Sequence, residues 1–211
     1  MVKKTSKQTK KEQTTSDTKE KILRKARDLY LEQGAPGLSM RKIAKEVGLT
    51  PMAIYRHFAN KEDLQKELMG RAFRTFGEYL YPALEKKTPL ERLRATSDGF
   101  LYFALAEQKG FELIYLAIDP INNIKVSREI RKESLPTFHF LKHRIRDCIQ
   151  AGIFTKGKAS AITVSFLAQS TGLCALYLGG SFGWSEATFK RVYKESIESL
   201  LLAYSNGKEK R

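Results

Sequence analysis

The sequence predicts an all-α protein of about nine helices, in which a small three-helix N-terminal domain precedes a larger helical bundle. Two patterns support this fold class. Apolar residues recur at helical spacing along most of the chain, beginning with Ile22, Ala26 and Leu29. No stretch alternates polar and apolar residues as a half-buried strand would. A chain of 211 residues, 42% of them hydrophobic, is long enough for a small domain and a medium one.

The chain is strongly basic, with a formal net charge of +15. Its first 75 residues hold 18 lysines and arginines against 9 acidic residues, which is more than half of the excess. This balance indicates a polyanionic partner, either nucleic acid or an anionic membrane, that meets the N-terminal end of the chain.

Residues 1–16 contain five lysines, one glutamate and, after the first methionine, a single apolar side chain, Val2. Because such a segment cannot bury enough surface to offset its ordering entropy, we expect it to be disordered. Two roles are open for it. It can be a solubilising tail, or a basic arm that strengthens binding to nucleic acid.

Residues 17–64 form the predicted small domain, and capping residues mark the ends of its helices. The first helix stops at a Gly-Ala-Pro-Gly segment. Ser39 is suited to cap a short second helix, which Gly48 ends. Thr50 caps a third helix with Pro51 at its first position, where a missing N–H costs nothing.

The bundle occupies residues 65–206, and its first helix begins within the small domain. Asn60 caps that helix, with Asp63 three residues later as in a capping box. The predicted helices cover 61–86, 89–109, 111–118, 127–151, 159–178 and 185–204. Pro136 is expected to kink or break the helix over 127–151.

Two short helices separated by Gly48, Leu49 and Thr50 have the spacing of a helix-turn-helix that reads DNA. The second of these helices must offer short and polar side chains on its outer face. Ile54 and Phe58 lie four positions apart and are expected to anchor this helix inward. The remaining side chains of residues 50–57 are then left to face a partner.

Four short segments carry a resemblance to a known family. Residues 37–44 read Gly-Leu-Ser-Met-Arg-Lys-Ile-Ala, 47–50 read Val-Gly-Leu-Thr, 54–58 read Ile-Tyr-Arg-His-Phe and 60–64 read Asn-Lys-Glu-Asp-Leu. Tyr-x-His-Phe followed by x-x-Lys-x-x-Leu is a specific pattern when it comes after an Ile-Ala-x-x-x-Gly segment. Over roughly residues 18–68 the chain therefore resembles the TetR family of transcriptional regulators.

The resemblance implies that nine side chains bind double-stranded DNA. Phosphate contacts are implied for Ser39, Arg41, Tyr55, His57 and Lys61. Lys61 would combine its ammonium group with the N-terminus of the fourth helix. Contacts to base edges are implied for Thr50, Met52, Ala53 and Arg56, since short or forked side chains read donors, acceptors and thymine methyl groups.

In TetR-like proteins the bundle binds a small molecule and dimerises through its last two helices. The pocket residues that we expect here are mostly aromatic, because aromatic rings bury a hydrophobic ligand while a polar group orients it. They are Phe100, Phe103, Phe111, Tyr115, Phe138, Phe166 and Gln169. Each of them also fits an ordinary helical core. No cofactor and no metal is expected.

Residues 159–185 contain no charged side chain, so a membrane span must be compared with a helix buried in a dimer. Six of the residues 159–180 are Ser, Thr or Gln, and lysines flank the segment on both sides without an orientation bias. The helix that follows has one apolar face. We therefore predict a homodimer through residues 159–204 and no membrane span.

Two patterns that could indicate an enzyme or a metal site fail in context. Residues 179–183 match the G-x-S-x-G nucleophile motif, but that motif needs a preceding strand, and the sequence predicts a helix there. His139 and His143 lie four apart, yet no carboxylate completes a metal site at the next turn. Cys148 and Cys174 fit small core residues of a protein in the reducing cytoplasm.

The predicted function is a homodimeric, sequence-specific DNA-binding regulator without enzymatic activity. It would act as a repressor that a small hydrophobic ligand releases from a pseudo-palindromic operator. The alternative is a ligand-independent, dimeric DNA-binding or protein-interaction module. A solvent-shielded cavity within residues 76–180 would distinguish the two functions.

Overall fold

A computed structural model of the protein describes residues 3–34, 37–116, 128–155 and 157–206. Within these ranges the chain forms nine α-helices and no strand, which confirms the predicted all-α fold. The helices are α1 Lys3–Gln33, α2 Met40–Val47, α3 Pro51–Tyr55, α4 Lys61–Leu80, α5 Pro89–Ala106, α6 Gln108–Phe111, α7 Arg128–Gln150, α8 Ala159–Leu178 and α9 Glu186–Tyr204. A 3₁₀ turn at Tyr81–Glu85 follows α4, and a π-helical turn at Glu112–Leu116 follows α6.

The chain divides into two compact units. The first, called the head here, contains α1 to α3, the part of α4 up to Arg71 and the π-helical turn. The second, called the bundle, contains α4 from Ala72, α5, α6 and α7 to α9.

The short helices of the head begin and end as the sequence predicts. The Ser39 hydroxyl accepts a hydrogen bond from the Lys42 N–H at the start of α2. Gly48 ends α2 with φ of 71°, a left-handed conformation that costs a glycine little. Gly37 is buried, and a Cβ there would collide with the Leu29 carbonyl oxygen, so the loop can pass close to α1 only without a side chain.

Ion pairs connect α1 to the helices around it in the head. Lys25 Nζ lies 2.9 Å from Glu46 Oε2 on α2, and this pairing raises the pKa of Lys25 and lowers that of Glu46. Arg71 on α4 bonds Glu20 Oε2 at 2.6 Å and Glu67 Oε1 at 2.9 Å. Hydrogen bonds to Glu20 raise the pKa of Arg71 and so stabilise the charged form of its guanidinium group.

The structure differs from the sequence prediction at residues 3–16, which form the first turns of α1. Lysine, glutamine and glutamate have good helix propensity. Once residues 17–33 have nucleated a packed helix, each further residue is added at little cost. Met1 and Val2, the remainder of the predicted tail, lie outside the described residues.

Helix α7 runs through Pro136 without a break, so the break that was one of the two predicted outcomes is not seen. A proline removes one backbone N–H, and the flanking turns of a long packed helix hold the chain despite that loss. The Thr137 hydroxyl donates to the Ser134 carbonyl oxygen at 3.0 Å, which satisfies a backbone group beside the proline.

A close approach and a buried hydrogen-bond network fix the packing of the bundle. Gly99 on α5 has no room for a Cβ, which would collide with the carbonyl oxygen of Tyr79 on α4. The buried Tyr193 hydroxyl on α9 donates to the Ser97 carbonyl oxygen of α5 at 3.0 Å. It also shares a 2.9 Å hydrogen bond with the Ser170 hydroxyl of α8.

Both cysteines lie in the core of the bundle as reduced thiols, which matches the sequence interpretation. Burial raises the pKa of Cys148 to about 11 and that of Cys174 to about 12. Neither is a reactive thiolate at neutral pH.

Candidate nucleic-acid interface and bundle cavity

Helix α3 is held so that one face enters the head and the other is left outside. Thr50 Oγ1 accepts from the Ala53 N–H at 3.2 Å, and Pro51 occupies the first helical position. Ile54 and Phe58 are 0% and 2% exposed, which confirms that they anchor this segment inward. The residues between them are thereby turned outward.

None of the nine side chains assigned to DNA is buried. Ser39, Arg41, Thr50, Met52, Tyr55 and Arg56 are exposed, whereas Ala53, His57 and Lys61 are half-buried. Met52 and Tyr55 keep 68% and 50% of their surface accessible, which is unusual for large side chains in a short helix of a packed unit. All nine come from three short segments of the head, namely the starts of α2 and α4 and the whole of α3 with its C-terminal turn.

The start of α4 differs in one detail from the predicted capping box. Asn60 Oδ1 accepts from the Asp63 N–H at 2.7 Å, as expected of a cap. The Asp63 carboxylate, however, reaches the N–H of Ala59 at 3.2 Å instead of that of Asn60. These two side chains therefore occupy the N–H groups of Asp63 and Ala59 at the start of α4.

Two family profiles match this chain over most of its length. The profile described as bacterial regulatory proteins, tetR family, matches residues 22–68, and the profile described as tetracyclin repressor-like, C-terminal domain, matches residues 93–200. The chain belongs to the TetR family. It therefore has the DNA-binding domain of a transcriptional regulator, as the sequence predicts.

The relatives of this TetR-family chain are distant in sequence. The transcriptional regulator AcrR of Shigella flexneri is 28% identical over 145 residues, which are 66% of this chain and 67% of that protein. A TetR-family transcription regulator from Shewanella sp. PV-4 superposes with a TM-score of 0.72 at 19% identity, over 89% of this chain and 97% of that one. The regulator AibR, solved with isovaleryl coenzyme A and operator DNA, gives 0.68 at 21% identity, over 87% and 97%.

In this TetR-family bundle, the side chains predicted to line a pocket are not brought together. Phe100, Phe103 and Phe111 belong to one aromatic cluster in which the rings of Phe100 and Phe111 meet edge to face, 6.0 Å apart. Phe76 joins this cluster 4.8 Å from Phe103. All of these rings are 5% exposed or less, so the cluster is a packed core.

The other predicted pocket residues lie elsewhere. Phe166 stacks on Tyr204 of α9 at 6.4 Å. Gln169 donates to the Ser196 carbonyl oxygen at 2.7 Å and so connects α8 to α9. Phe138 is half-buried on α7, and Tyr115 belongs to the head by its contacts.

A cavity of about 300 Å³ lies in the bundle between α4, the 3₁₀ turn and α7. Its walls are mostly apolar, with one guanidinium group and two hydroxyl groups among them. They consist of Phe73, Arg74, Gly77, Leu80, Tyr81, Pro136, Thr137 and Phe140. The predicted pocket residues do not include this set, because they were chosen as aromatic side chains without knowledge of which helices meet. The spacing of Phe73, Gly77 and Tyr81, four apart on one helix face, is the signal that could have indicated it.

Proposed function

We propose that this protein is a dimeric repressor whose head reads an operator and whose bundle takes a small apolar ligand that releases the DNA. The outward face of α3 carries the DNA-binding part of the proposal. There an inward anchor of Ile54 and Phe58 leaves exposed, uncharged and basic side chains together on a short helix. This composition suits the major groove of DNA.

Within that face, the side chains divide by chemistry. Thr50, Met52, Ala53 and Arg56 lie on α3 or its C-terminal end and are assigned to base edges, where Arg56 can make a forked contact with guanine. The assigned phosphate contacts flank them. They are Ser39 and Arg41 on α2, Tyr55 and His57 beside Arg56, and Lys61 at the start of α4.

The dimer is assigned to α8 and α9. Among the described helices, α8 alone is long and apolar enough to cross a membrane by length and composition, and only 28% of its most apolar window is buried in the protomer. Val164 and Leu176 on α8 are 55% and 42% exposed, and Leu202 on α9 is 71% exposed. A second copy of these two helices would cover this surface in a four-helix contact.

A membrane span is the weaker explanation of α8. The same helix packs one side against the bundle through Phe166, Ser170 and Cys174, each 4% exposed or less. Its Gln169 is already bonded to Ser196 on α9. A helix with one side fixed in a core and the other apolar matches a subunit interface in a cytoplasmic protein.

The ligand is assigned to the cavity between α4 and α7. A volume of about 300 Å³ is at the lower end for small-molecule sites, which fits a compact ligand. Tyr81 and Phe140 supply rings 6.4 Å apart, while Arg74 and Thr137 offer polar groups for one end of the ligand. The structure of AibR contains both isovaleryl coenzyme A and operator DNA, and by analogy it supports control of DNA binding by a small ligand in this chain. A ligand in this cavity can change the affinity for DNA only by the difference between its own affinities for the DNA-binding and the DNA-free states of the protein.

One observation favours a second function, a ligand-independent DNA-binding or protein-interaction module. The aromatic cluster of α5 and α6, which holds three of the seven predicted pocket residues, is filled by its own side chains. In that case the α4–α7 cavity would be a surface depression without a ligand.

Both predicted roles of the basic residues 1–16, a DNA arm and a solubilising tail, can be separated by experiment. The first buried side chain of α1 for which burial is described is Ile22, so deletion of residues 1–16 should leave folding intact. As an arm, this segment should add affinity for DNA at low salt and little at high salt. Equal affinities of the full and the shortened protein at low salt would leave only the solubilising role.

The decisive experiment uses duplexes selected by the protein from a random library. Their affinity is measured by fluorescence anisotropy with and without a panel of aromatic and medium-chain carboxylic acids and their amides. Gly77→Leu should fill the cavity and abolish ligand release. Gly77→Ala, whose Cβ would meet only the ring end of Tyr81 at an ordinary 3.5 Å, is the matched control. Release that is equal in both variants would place the ligand outside this cavity. Release that is absent with the whole panel would favour the ligand-independent module.

A further inference from the structure

A second concave surface of the bundle lies where α7 ends and α8 begins, and it has a different character from the α4–α7 cavity. It spans about 460 Å³, is open to solvent and shares no lining residue with that cavity. Its walls carry three cationic side chains and no carboxylate. They are Lys142, Arg146, Ile149, Gln150, Gly157, Lys158, Ala159 and Ser160.

The three cations come from two separate elements. Lys142 and Arg146 are four residues apart on α7 and therefore lie on the same face of that helix. Lys158 is the N-cap residue of α8. The side chains of these three residues form no ion pair or hydrogen bond with another described residue.

The acidic side chain that directly follows Arg146 in the chain is already engaged. Asp147 bonds the Arg144 guanidinium at 3.1 Å, and Arg144 also covers the Phe140 ring at 5.1 Å. Asp147 and Arg144 therefore satisfy each other away from the cavity. The positive charges of Lys142, Arg146 and Lys158 are left without a local counter-charge among the described residues.

The start of α8 adds donors to these charges. Ser39, Thr50, Thr88 and Ser185 cap four other helices with their hydroxyl groups, whereas Lys158 gives α8 no side-chain cap. The first turn of α8 also has no acidic residue. The N–H groups of Ala161 and Ile162 bond the Lys158 carbonyl oxygen, so those of Ala159 and Ser160, both on the cavity wall, remain to meet a ligand.

We propose that this cavity, the α7–α8 basic cavity, binds a small organic phosphate or diphosphate, with a nucleoside diphosphate as the model ligand. Three cations and two backbone donors match the several oxygens and the multiple charge of such a group. A single carboxylate would leave most of that positive charge unpaired. Ile149 and Ala159 provide an apolar part of the wall for the organic portion of the ligand.

The shape of the surface favours a small molecule over a macromolecule. DNA binding needs cations spaced along an extended face, and an anionic membrane needs a broad, flat patch. Here the three charges converge on one concavity whose volume lies within the range of small-molecule sites. The proposal is independent of the ligand assigned to the α4–α7 cavity.

The test is isothermal titration of the full-length protein with ADP, pyrophosphate and adenosine in a phosphate-free, magnesium-free buffer. We expect one saturable site per protomer for ADP and for pyrophosphate and none for adenosine. The triple variant Lys142→Gln, Arg146→Gln, Lys158→Gln should weaken ADP binding by about ten-fold or more. The control variant Lys66→Gln, Lys87→Gln, Lys132→Gln loses the same net charge at exposed sites and should bind as the unmodified protein does.

Three results would overturn the proposal. The first is no saturable binding of either phosphate compound. The second is equal weakening in the triple and control variants, which would indicate attraction by net charge alone. The third is binding that survives in the triple variant and falls in Lys61→Ala, which would place the anion on the head. Binding to phosphatidylserine vesicles and to duplex DNA is measured in parallel. If the unmodified protein does not bind ADP, and the triple variant loses binding to vesicles or to DNA, the surface would be assigned to a macromolecule.

Discussion

The Lys21 ammonium group donates a hydrogen bond to the Val47 carbonyl oxygen at 2.9 Å, across 26 positions of the sequence. Val47 is the last residue of α2, where carbonyl groups have no partner within the helix. A cation placed there satisfies one of these groups and complements the negative end of the helix dipole. Helix α1 therefore fixes the end of α2 directly before the turn that leads into α3.

Replacing Lys21 with methionine should lower the stability of the protein by about 1 kcal/mol, because methionine keeps the aliphatic chain and removes the donor. Urea unfolding followed by circular dichroism measures the change. Lys66→Met, at an exposed position on α4, is the control and should shift the midpoint little. Equal shifts in the two variants would mean that the bond to Val47 contributes nothing measurable.

Lys61→Ala should weaken binding to all duplexes by a similar factor. If Lys61 contacts one phosphate, the slope of log affinity against log salt should fall by about 1. Anisotropy titrations over a range of salt concentrations on a selected and a random duplex measure both quantities. Lys66→Ala is again the control. A loss restricted to the selected duplex, with an unchanged slope, would assign Lys61 to base recognition instead.

Leu202→Glu should dissociate the dimer. In the protomer this side chain is 71% exposed, so the variant should fold normally and be disturbed only where a partner would cover it. A two-fold interface would contain two copies of the new carboxylate, one from each protomer, and neither would have a partner. Their burial should make the free energy of dimerisation less favourable by about 3 kcal/mol or more per dimer. Multi-angle light scattering should show a monomer, and operator binding should fall although the head is unchanged.

Leu84→Glu, at an apolar side chain that is 52% exposed in the 3₁₀ turn, is the control for this experiment. A Leu202→Glu protein that remains dimeric and binds operator normally would move the interface away from α9. Leu201, which the sequence alone would also suggest for this test, is 4% exposed in its own bundle. Its substitution would unfold the protomer rather than separate two protomers.

Gly99→Ala should destabilise the bundle by about 1–3 kcal/mol, because the new methyl group would collide with the Tyr79 carbonyl oxygen, a backbone atom that cannot move alone. Thermal unfolding measures the effect. Gly110→Ala is the matched control, since a Cβ there would meet the Phe103 ring at an ordinary 3.5 Å. A Gly99→Ala protein as stable as the control would show that α5 can shift away from Tyr79 at no cost.

The sequence predicted the head well because each of its signals is local. Ser39, Thr50 and Gly48 act within four residues, and the inward pair Ile54 and Phe58 follows from helical spacing alone. The boundaries of α8 were predicted for the same reason, since Lys158 precedes an uncharged run and Gly179 begins a glycine pair within it.

The bundle interior was harder to predict because its cavities depend on which helices meet. Phe103 and Phe140 are equally plausible pocket residues in the sequence. In the structure the first is fully buried against Phe76, while the second borders the α4–α7 cavity. Periodicity shows which face of a helix is apolar but not which neighbour covers that face. The continuity of α7 through Pro136 likewise depends on packing that the local sequence does not encode.

The bonds of Tyr193 have a consequence for how this bundle can move. Its hydroxyl joins the backbone of α5 and the side chain of Ser170 on α8 at a point that solvent does not reach. If α9 slid by one helical turn, about 5.4 Å, both bonds would break where no water could replace them. These three helices are thus locked in register and travel as one block. Any change of shape in the bundle must come from the helices outside that block.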